Sequence, residues 1–287
     1  MRLLRGPARH GQSMNEDFSH ELEVAKRLAR VAGARILAHY NDGFAVEYKG
    51  HGDPVTQADR DANHIIVEGL AAAFPTDAIL AEESKNSDSR HAHARLWCVD
   101  PLDGTQELVN RNGEFAVMIG LAVRGEARVG VVYQPTEDTL WAGAGTLATV
   151  ERHGGPPTRI KPTQCIDPAK AVLVGSRSHT SKSVVEVATT LGVARQDRLG
   201  SVGLKMARVA EGGADLYLSM STQTHEWDGC APEAILRAAG GFVTDCFGAP
   251  LRYNKQTTGT PRGMLATNGL IHAAVLAAAR TVVEQRF

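Results

Sequence analysis

The chain lacks most of the features that give a protein away at once. Only four cysteines occur among its 287 residues, Cys98, Cys165, Cys230 and Cys246. They are too scattered for a disulfide framework and none forms a CxxC pair, so a zinc ribbon is excluded and free buried thiols in a reducing cytoplasm are expected. Aromatic residues make up only 5% of the chain, and no basic cluster is interleaved with them, which disfavours a nucleic-acid polymer as partner. Charge of one sign is missing too: 31 basic residues stand against 32 acidic ones, a formal net charge of −1. Such a balance provides no global field toward nucleic acid or an anionic membrane, although a local basic pocket is compatible with it. No apolar run approaches the roughly 20 residues of a spanning helix. The best, Phe115–Val123, is interrupted by Gly120 and bounded by Glu114 and Arg124, and reads as a buried strand. Residues Met1–Ser13 are basic, contain glycine and have no apolar core, so they read as a disordered arm and not as a secretory signal, with Met14 an alternative start.

What is there begins with periodicity. Leu22, Ala25, Leu28, Ala29, Ala32, Ile36 and Leu37 fall on one stripe and predict a helix over Asp17–His39. A second helix is expected over Asp59–Phe74, ended by Pro75. Ala78–Ala81 and Leu96–Val99 read as strands. Phe115–Val123, Arg128–Gln134 and Leu140–Ala144 read as an antiparallel meander. A loop rich in Gly, Pro and Thr, His153–Thr163, is the best candidate for a boundary. Beyond it the pattern alternates: strands at Ala171–Gly175, Asp215–Leu218 and Phe242–Asp245, helices at Ser181–Leu191, Gly203–Glu211, Asp228–Ala239 and Leu270–Glu284. Antiparallel strands first and alternating elements later predict a layered α/β sandwich. Its expected parts are an arm over residues 1–13, an α+β subdomain over 14–155 and an α/β subdomain over 156–287.

The most informative segment is Asp100-Pro101-Leu102-Asp103-Gly104-Thr105. Two carboxylates three residues apart follow an apolar strand, and Gly104 permits a tight turn into a helix. Hard oxygen ligands on one side and the N–H groups of a helix start on the other make a phosphate site. Taken alone, an N-cap and a turn aspartate would explain the segment equally well. Three further acidic segments stand where an apolar strand or a loop meets a helix or turn: Asp53–Asp59, Glu82-Glu83-Ser84 and Trp227-Asp228-Gly229. Capping alone does not account for four such segments. Carboxylates without histidine or cysteine suit Mg²⁺ better than zinc.

Together these segments, with Gly240-Gly241, resemble the inositol monophosphatase superfamily of lithium-sensitive, Mg²⁺-dependent phosphatases. The resemblance runs in the right order from about Lys49 to Gly241. It implies a layered αβαβα sandwich of the sugar-phosphatase type. Gln106-Glu107-Leu108 leading into Arg111-Asn112-Gly113-Glu114-Phe115, and Ser176-Arg177-Ser178-His179, are similar to the 3′(2′),5′-bisphosphate nucleotidase branch.

The resemblance implies roles for individual residues. Glu82, Asp100, Asp103 and Asp228, with the carbonyl of Leu102, would hold two or three Mg²⁺ ions. Asp59 and Thr105 would pair to orient the attacking water, Glu83 would hold an outer-shell water, and the amides of Gly104 and Thr105 would bind phosphate oxygens. Arg177 and His179 would grip the nucleotide, and Lys205 its second phosphate. Lys49 matches a family lysine only loosely. The implied reaction is hydrolysis of the 3′-phosphate of 3′-phosphoadenosine 5′-phosphate to AMP and phosphate, clearing a by-product of sulfate assimilation. Inositol 1-phosphate and fructose 1,6-bisphosphate stay open as substrates of the same chemistry, because the metal ligands are shared. A catalytically dead nucleotide-binding protein would be expected to have lost a ligand or the Asp59/Thr105 pair, and none is missing. The family also implies a homodimer. His91, His93 and Arg95 read as solvated loop residues, Asp215 as structural, and His225 and Glu226 as neighbours of the pocket without an assigned role.

Overall fold

Two main sheets and three helical layers make up the computed structural model, which describes residues 16–43, 45–48, 54–178 and 181–284. The chain starts with α1 (Ser19–Asp42), a hairpin of β1 (Val46–Tyr48) and β2 (Pro54–Thr56), and α2 (Gln57–Ala73). β3 (Ala78–Ala81), β4 (Arg95–Asp103), β5 (Ala116–Val123), β6 (Glu126–Gln134), β7 (Thr139–Ala144), β8 (Leu147–Arg152) and β9 (Thr158–Arg159) follow, with the short helix α3 (Thr105–Val109) between β4 and β5. These strands form a seven-stranded sheet in sequence order, antiparallel except for the parallel pair β3–β4. The second half contains β10 (Val172–Ser176), α4 (Lys182–Leu191), β11 (Arg195–Leu199), α5 (Val202–Ala210), β12 (Leu216–Ser219), α6 (Glu226–Ala239), β13 (Phe242–Thr244), β14 (Met264–Thr267) and α7 (His272–Glu284). Its five strands lie in the order β11-β10-β12-β14-β13.

The layers follow from which faces are apolar. α1 and α2 bury Leu28, Ala32, Ile36, Ile66 and Leu70 against Trp97, Val99, Ile119 and Val131 on one face of the large sheet. The opposite face, with Cys98, Met118 and Val132, is covered by α5 and α6, which also pack on the second sheet. α4 and α7 close the far side through Val187, Val275 and Ala279. The architecture is therefore an αβαβα sandwich. Among the described residues, no helix is long and apolar enough to cross a membrane.

A row of glycines sets how close the middle layer comes. Gly120, Gly130 and Gly143 stand directly opposite one another on β5, β6 and β7. A Cβ at Gly130 would lie 2.0 Å from the carbonyl oxygen of Ala231, and one at Gly143 would lie 2.6 Å from Cα of Ile235. α6 rests its backbone in the trough these missing side chains leave, and this brings its N-terminus beside the end of β4.

Several elements differ from expectation. β4 runs through Asp103, four residues past the apolar stretch Leu96–Val99, because its last residues still pair with β5. β9 lies inside the expected loop His153–Thr163. β11 has the sequence Arg-Gln-Asp-Arg-Leu and shows no apolar alternation. It is an edge strand, where charged side chains are solvated. Cys165 is only partly buried, while Cys98, Cys230 and Cys246 are buried and all four are free.

Candidate active site

In a regular strand, residues three apart point to opposite faces. Asp100 pairs with Met118 and Asp103 with Ala116, so three steps on β4 match two on β5. The bulge turns both carboxylates to one side. The positive φ of Gly104, 101°, then reverses the chain into α3, a conformation that favours glycine. Asp100 and Asp103 are 2% and 8% exposed. Asp228 enters from the first turn of α6, where its Oδ2 accepts the His225 amide at 2.6 Å. Glu82 sits just past β3, its amide bonded to the Val99 carbonyl at 3.1 Å.

These acids share one field. Burial pushes Asp100 well above the usual carboxylate range, and the charges of Glu82, Asp103 and Asp228 push it further. Asp228 is raised in the same way, first by burial and then by Asp103 and Glu82. Asp103 is raised by burial but held back by Lys205, by the Ser201 hydroxyl and by the Gly203 amide. Lys205, 4% exposed, is the cation set among them, lowered by its own burial and drawn toward Asp103, Glu107 and Asp228. Several buried acids against one buried lysine leave an excess of negative charge lined by hard oxygen atoms, a donor chemistry that suits a divalent cation. Among the described residues, no three of the acid, histidine or cysteine side chains stand close enough to hold a metal ion as they are. Several of their oxygens are taken up by local bonds, such as those of Asp228 to the His225 amide and of Asp103 to Ser201 and the Gly203 amide. Asp100 Oδ1 likewise accepts the Leu102 amide at 3.0 Å.

The Asp59–Thr105 pair is present. Thr105 Oγ1 donates to Asp59 Oδ1 at 2.9 Å and lies 3.3 Å from the Leu102 carbonyl. The other oxygen of Asp59 accepts the amide and hydroxyl of Thr56 at 2.8 and 2.7 Å, the capping box of α2. Burial raises the Asp59 pKa and these hydrogen bonds oppose the rise. A buried carboxylate that takes the threonine proton leaves Oγ1 lone pairs to accept a hydrogen bond. Glu83 lies in the turn after β3, where its charge acts on Arg60.

A cavity of about 640 Å³ is lined in part by Lys205, the residue whose charge meets Asp103 and Asp228. It lies at the carboxyl ends of β10 and β12, where the order of parallel strands reverses, the usual ligand crevice of such sheets. Ser176, Val185, Asp197, Lys205, Tyr217 and Met220 are among its lining residues. Arg177 is not among them: its guanidinium makes a bidentate pair with Glu114 and also donates to the Arg198 carbonyl at 3.0 Å. His179, Lys49 and Asp53 fall outside the described residues, as do Met1–Ser13.

Two buried residues with no role in the sequence reading support the site. Glu226, fully buried, accepts the amides of Asn254 and Lys255 at 2.6 and 3.0 Å. Arg90 holds the same loop from the other side through the Asn254 side chain at 2.8 Å and the Lys255 carbonyl at 2.6 Å. This ties the segment after Glu82 and Glu83 to the start of the Asp228 helix. The sequence signal was the position of Glu226 two residues before Asp228, but its partner loop lies 28 residues away. His91 and Arg95 are also more engaged than expected: His91 Nδ1 lies 3.2 Å from the Asn254 carbonyl, and Arg95 pairs with Glu21 and Asp77. Asp215 is structural as read, accepting the Val172 amide at 2.7 Å.

The inositol monophosphatase family profile matches residues 17–284. The chain belongs to that family. It is 39% identical over 235 residues to the 3′(2′),5′-bisphosphate nucleotidase CysQ of Salmonella typhimurium, covering 81% of this chain and 93% of that protein. Its fold is similar to that of CysQ from Bacteroides thetaiotaomicron, with a TM-score of 0.77, 32% identity and coverage of 88% and 98% of the two chains. It is similar as well to the inositol monophosphatase of Anabaena, with a TM-score of 0.75, 32% identity and coverage of 92% and 96%.

Proposed function

We propose that the protein is a Mg²⁺-dependent phosphomonoesterase that removes the 3′-phosphate of 3′-phosphoadenosine 5′-phosphate, releasing AMP and inorganic phosphate. The observation that carries the substrate is the 39% identity to a bisphosphate nucleotidase, supported by a strand-end cavity within the ordinary range for small ligands. The carboxylates of Glu82, Asp100, Asp103 and Asp228 and the carbonyl of Leu102 would hold two or three Mg²⁺ ions. When bound, the metal neutralises phosphate charge and lowers the pKa of a water.

The chain's own residues do the rest. Thr105 Oγ1, its proton committed to Asp59, accepts a hydrogen bond from the attacking water and fixes the direction of its lone pair. The amides of Gly104 and Thr105 face the phosphate oxygens, where charge grows in the transition state. Glu83 steadies an outer water. Lys205 answers the negative charge of the nucleotide, and His179, three residues after Ser176 in the sequence, meets the base. The bond between phosphorus and the 3′-oxygen breaks, the water oxygen joins the phosphate, and AMP leaves with a 3′-hydroxyl. We propose on the same footing a division of the chain near residue 155, with most metal ligands before it and the nucleotide cavity after it. A cytoplasmic location and a homodimer belong to the same reading.

A phosphate-release panel tests it. With Mg²⁺, kcat/KM should be highest for the bisphosphate nucleotide, and Li⁺ should suppress turnover. A preference for inositol 1-phosphate or fructose 1,6-bisphosphate would overturn the substrate and leave the metal chemistry standing. Inositol 1-phosphate is the second reading, because the likeness to the Anabaena enzyme is equal in identity to that to CysQ of Bacteroides thetaiotaomicron.

A further inference from the structure

Glu114 stands where three parts of the site meet. Its backbone carbonyl packs against Gly104, so close that a Cβ there would lie 3.2 Å from it. Its carboxylate takes both arms of Arg177, which leaves the end of β10. The same carboxylate accepts the Gly200 amide at 2.7 Å, at the junction of β11 and α5. One residue on from Gly200, Ser201 donates to Asp103. A second acid repeats the arrangement: Glu107, 4% exposed, accepts the Ser178 hydroxyl and the Asn112 side chain. Asn112 in turn accepts the Glu114 amide at 3.0 Å.

Two acids on the large sheet's side of the cleft thus hold two consecutive residues, Arg177 and Ser178, on the other side. The two residues they hold follow directly on Ser176, which lines the 640 Å³ cavity. Bidentate carboxylate–guanidinium pairing fixes orientation as well as distance. We propose that Glu114 with Arg177, and Glu107 with Ser178, form a clasp that sets the cleft between the Asp100–Thr105 turn and the cavity. The clasp acts by positioning. Arg177 holds the end of β10 in place and does not itself grip the nucleotide. A substrate that fills both the phosphate end and the cavity, such as a nucleotide, depends on the clasp, whereas a small phosphomonoester uses only the phosphate end.

This rests on the proposed nucleotide substrate, and the test separates the two. Wild-type turnover of 3′-phosphoadenosine 5′-phosphate reports on the function alone. The clasp is read from the Kd for AMP, which needs no turnover, and from the ratio of kcat/KM for the bisphosphate nucleotide to that for glycerol 2-phosphate. The variants are Glu114→Gln, which keeps the side-chain shape, Glu114→Ala, Arg177→Ala and the double substitution Glu114→Ala with Arg177→Ala. Each single change should weaken AMP about tenfold and lower the ratio by a similar factor, and the double variant should be no worse than either single one, as expected of partners in one interaction. Two results overturn the clasp. In the first, Arg177→Ala weakens AMP while Glu114→Ala leaves it unchanged or tighter, which would make Arg177 a direct ligand and Glu114 its competitor. In the second, losses are equal on both substrates, which would make the pair merely structural. Thermal melts of each variant identify any change that simply unfolds the protein.

Discussion

Replacing Gly130 by alanine should weaken catalysis from a position that touches no substrate. The new Cβ would stand 2.0 Å from the Ala231 oxygen and 2.8 Å from its carbonyl carbon. Both are backbone atoms of α6, so no side chain can swing aside. Ordinary non-bonded contact needs roughly 3.5 Å, so α6 must lift by about 1 Å or more. Overpacking of this kind costs about 1–3 kcal/mol, which for a chain of this size is a fall in Tm of roughly 2–5 °C. Asp228 lies three residues from Ala231 on the same helix, and a displacement near 1 Å at a reacting centre costs on the order of 100-fold in rate. Gly143→Ala should cost similar stability but less activity, because its Cβ would meet Ile235, a further turn away from Asp228. Gly259→Ala, where a Cβ meets nothing within 4 Å, is the control and should melt with the wild type. Differential scanning calorimetry and Mg²⁺-supported phosphate release measure the two effects. A Gly130→Ala protein with wild-type Tm and kcat/KM would refute the glycine trough as the device that seats α6.

Other expectations are more local. Asp103→Asn should abolish turnover while the far-UV circular dichroism stays native, and near-normal activity would remove Asp103 from the metal set. Glu226→Gln presents an amide donor to one of the Asn254 and Lys255 amides, so it should lower stability by about 1–3 kcal/mol and raise the Mg²⁺ concentration needed for half-maximal rate; an unchanged Mg²⁺ profile would separate Glu226 from Asp228. Burial holds His272 at about 4 against an ordinary 6.5, with Thr244 and Thr267 each 3.0 Å from its ring nitrogens. A depressed folded pKa means that stability is complete above pH 6.5 and is lost as pH falls toward 4, by up to roughly 3 kcal/mol. His272→Gln should flatten that part of the urea-unfolding profile, and identical wild-type and variant profiles would show that His272 does not titrate on unfolding.

The helices and the order of the acidic segments were legible because their causes are local. The stripe Leu28, Ala32 and Ile36 and the capping box of Thr56 and Asp59 are written within one or two turns, and α1 and α2 form where they were expected. The aspartates of the Asp100–Thr105 segment could be singled out for the same reason. That they point the same way could not, since odd spacing in a strand predicts opposite faces and only pairing with β5 creates the bulge. Arg177 was expected to grip the nucleotide, because its partner Glu114 is 63 residues away. Asp103 was singled out as a metal ligand, but nothing near it in the chain points to Ser201, which closes on it from 98 residues downstream. Gly120, Gly130 and Gly143 carry no joint signal in the sequence, and only strand register lines them up beneath α6. Propensity, capping and motif chemistry act over a few residues and can be read from one chain. Which carboxylate meets which cation is settled by strand register and layer packing, and these depend on contacts whose partners lie far apart in the sequence.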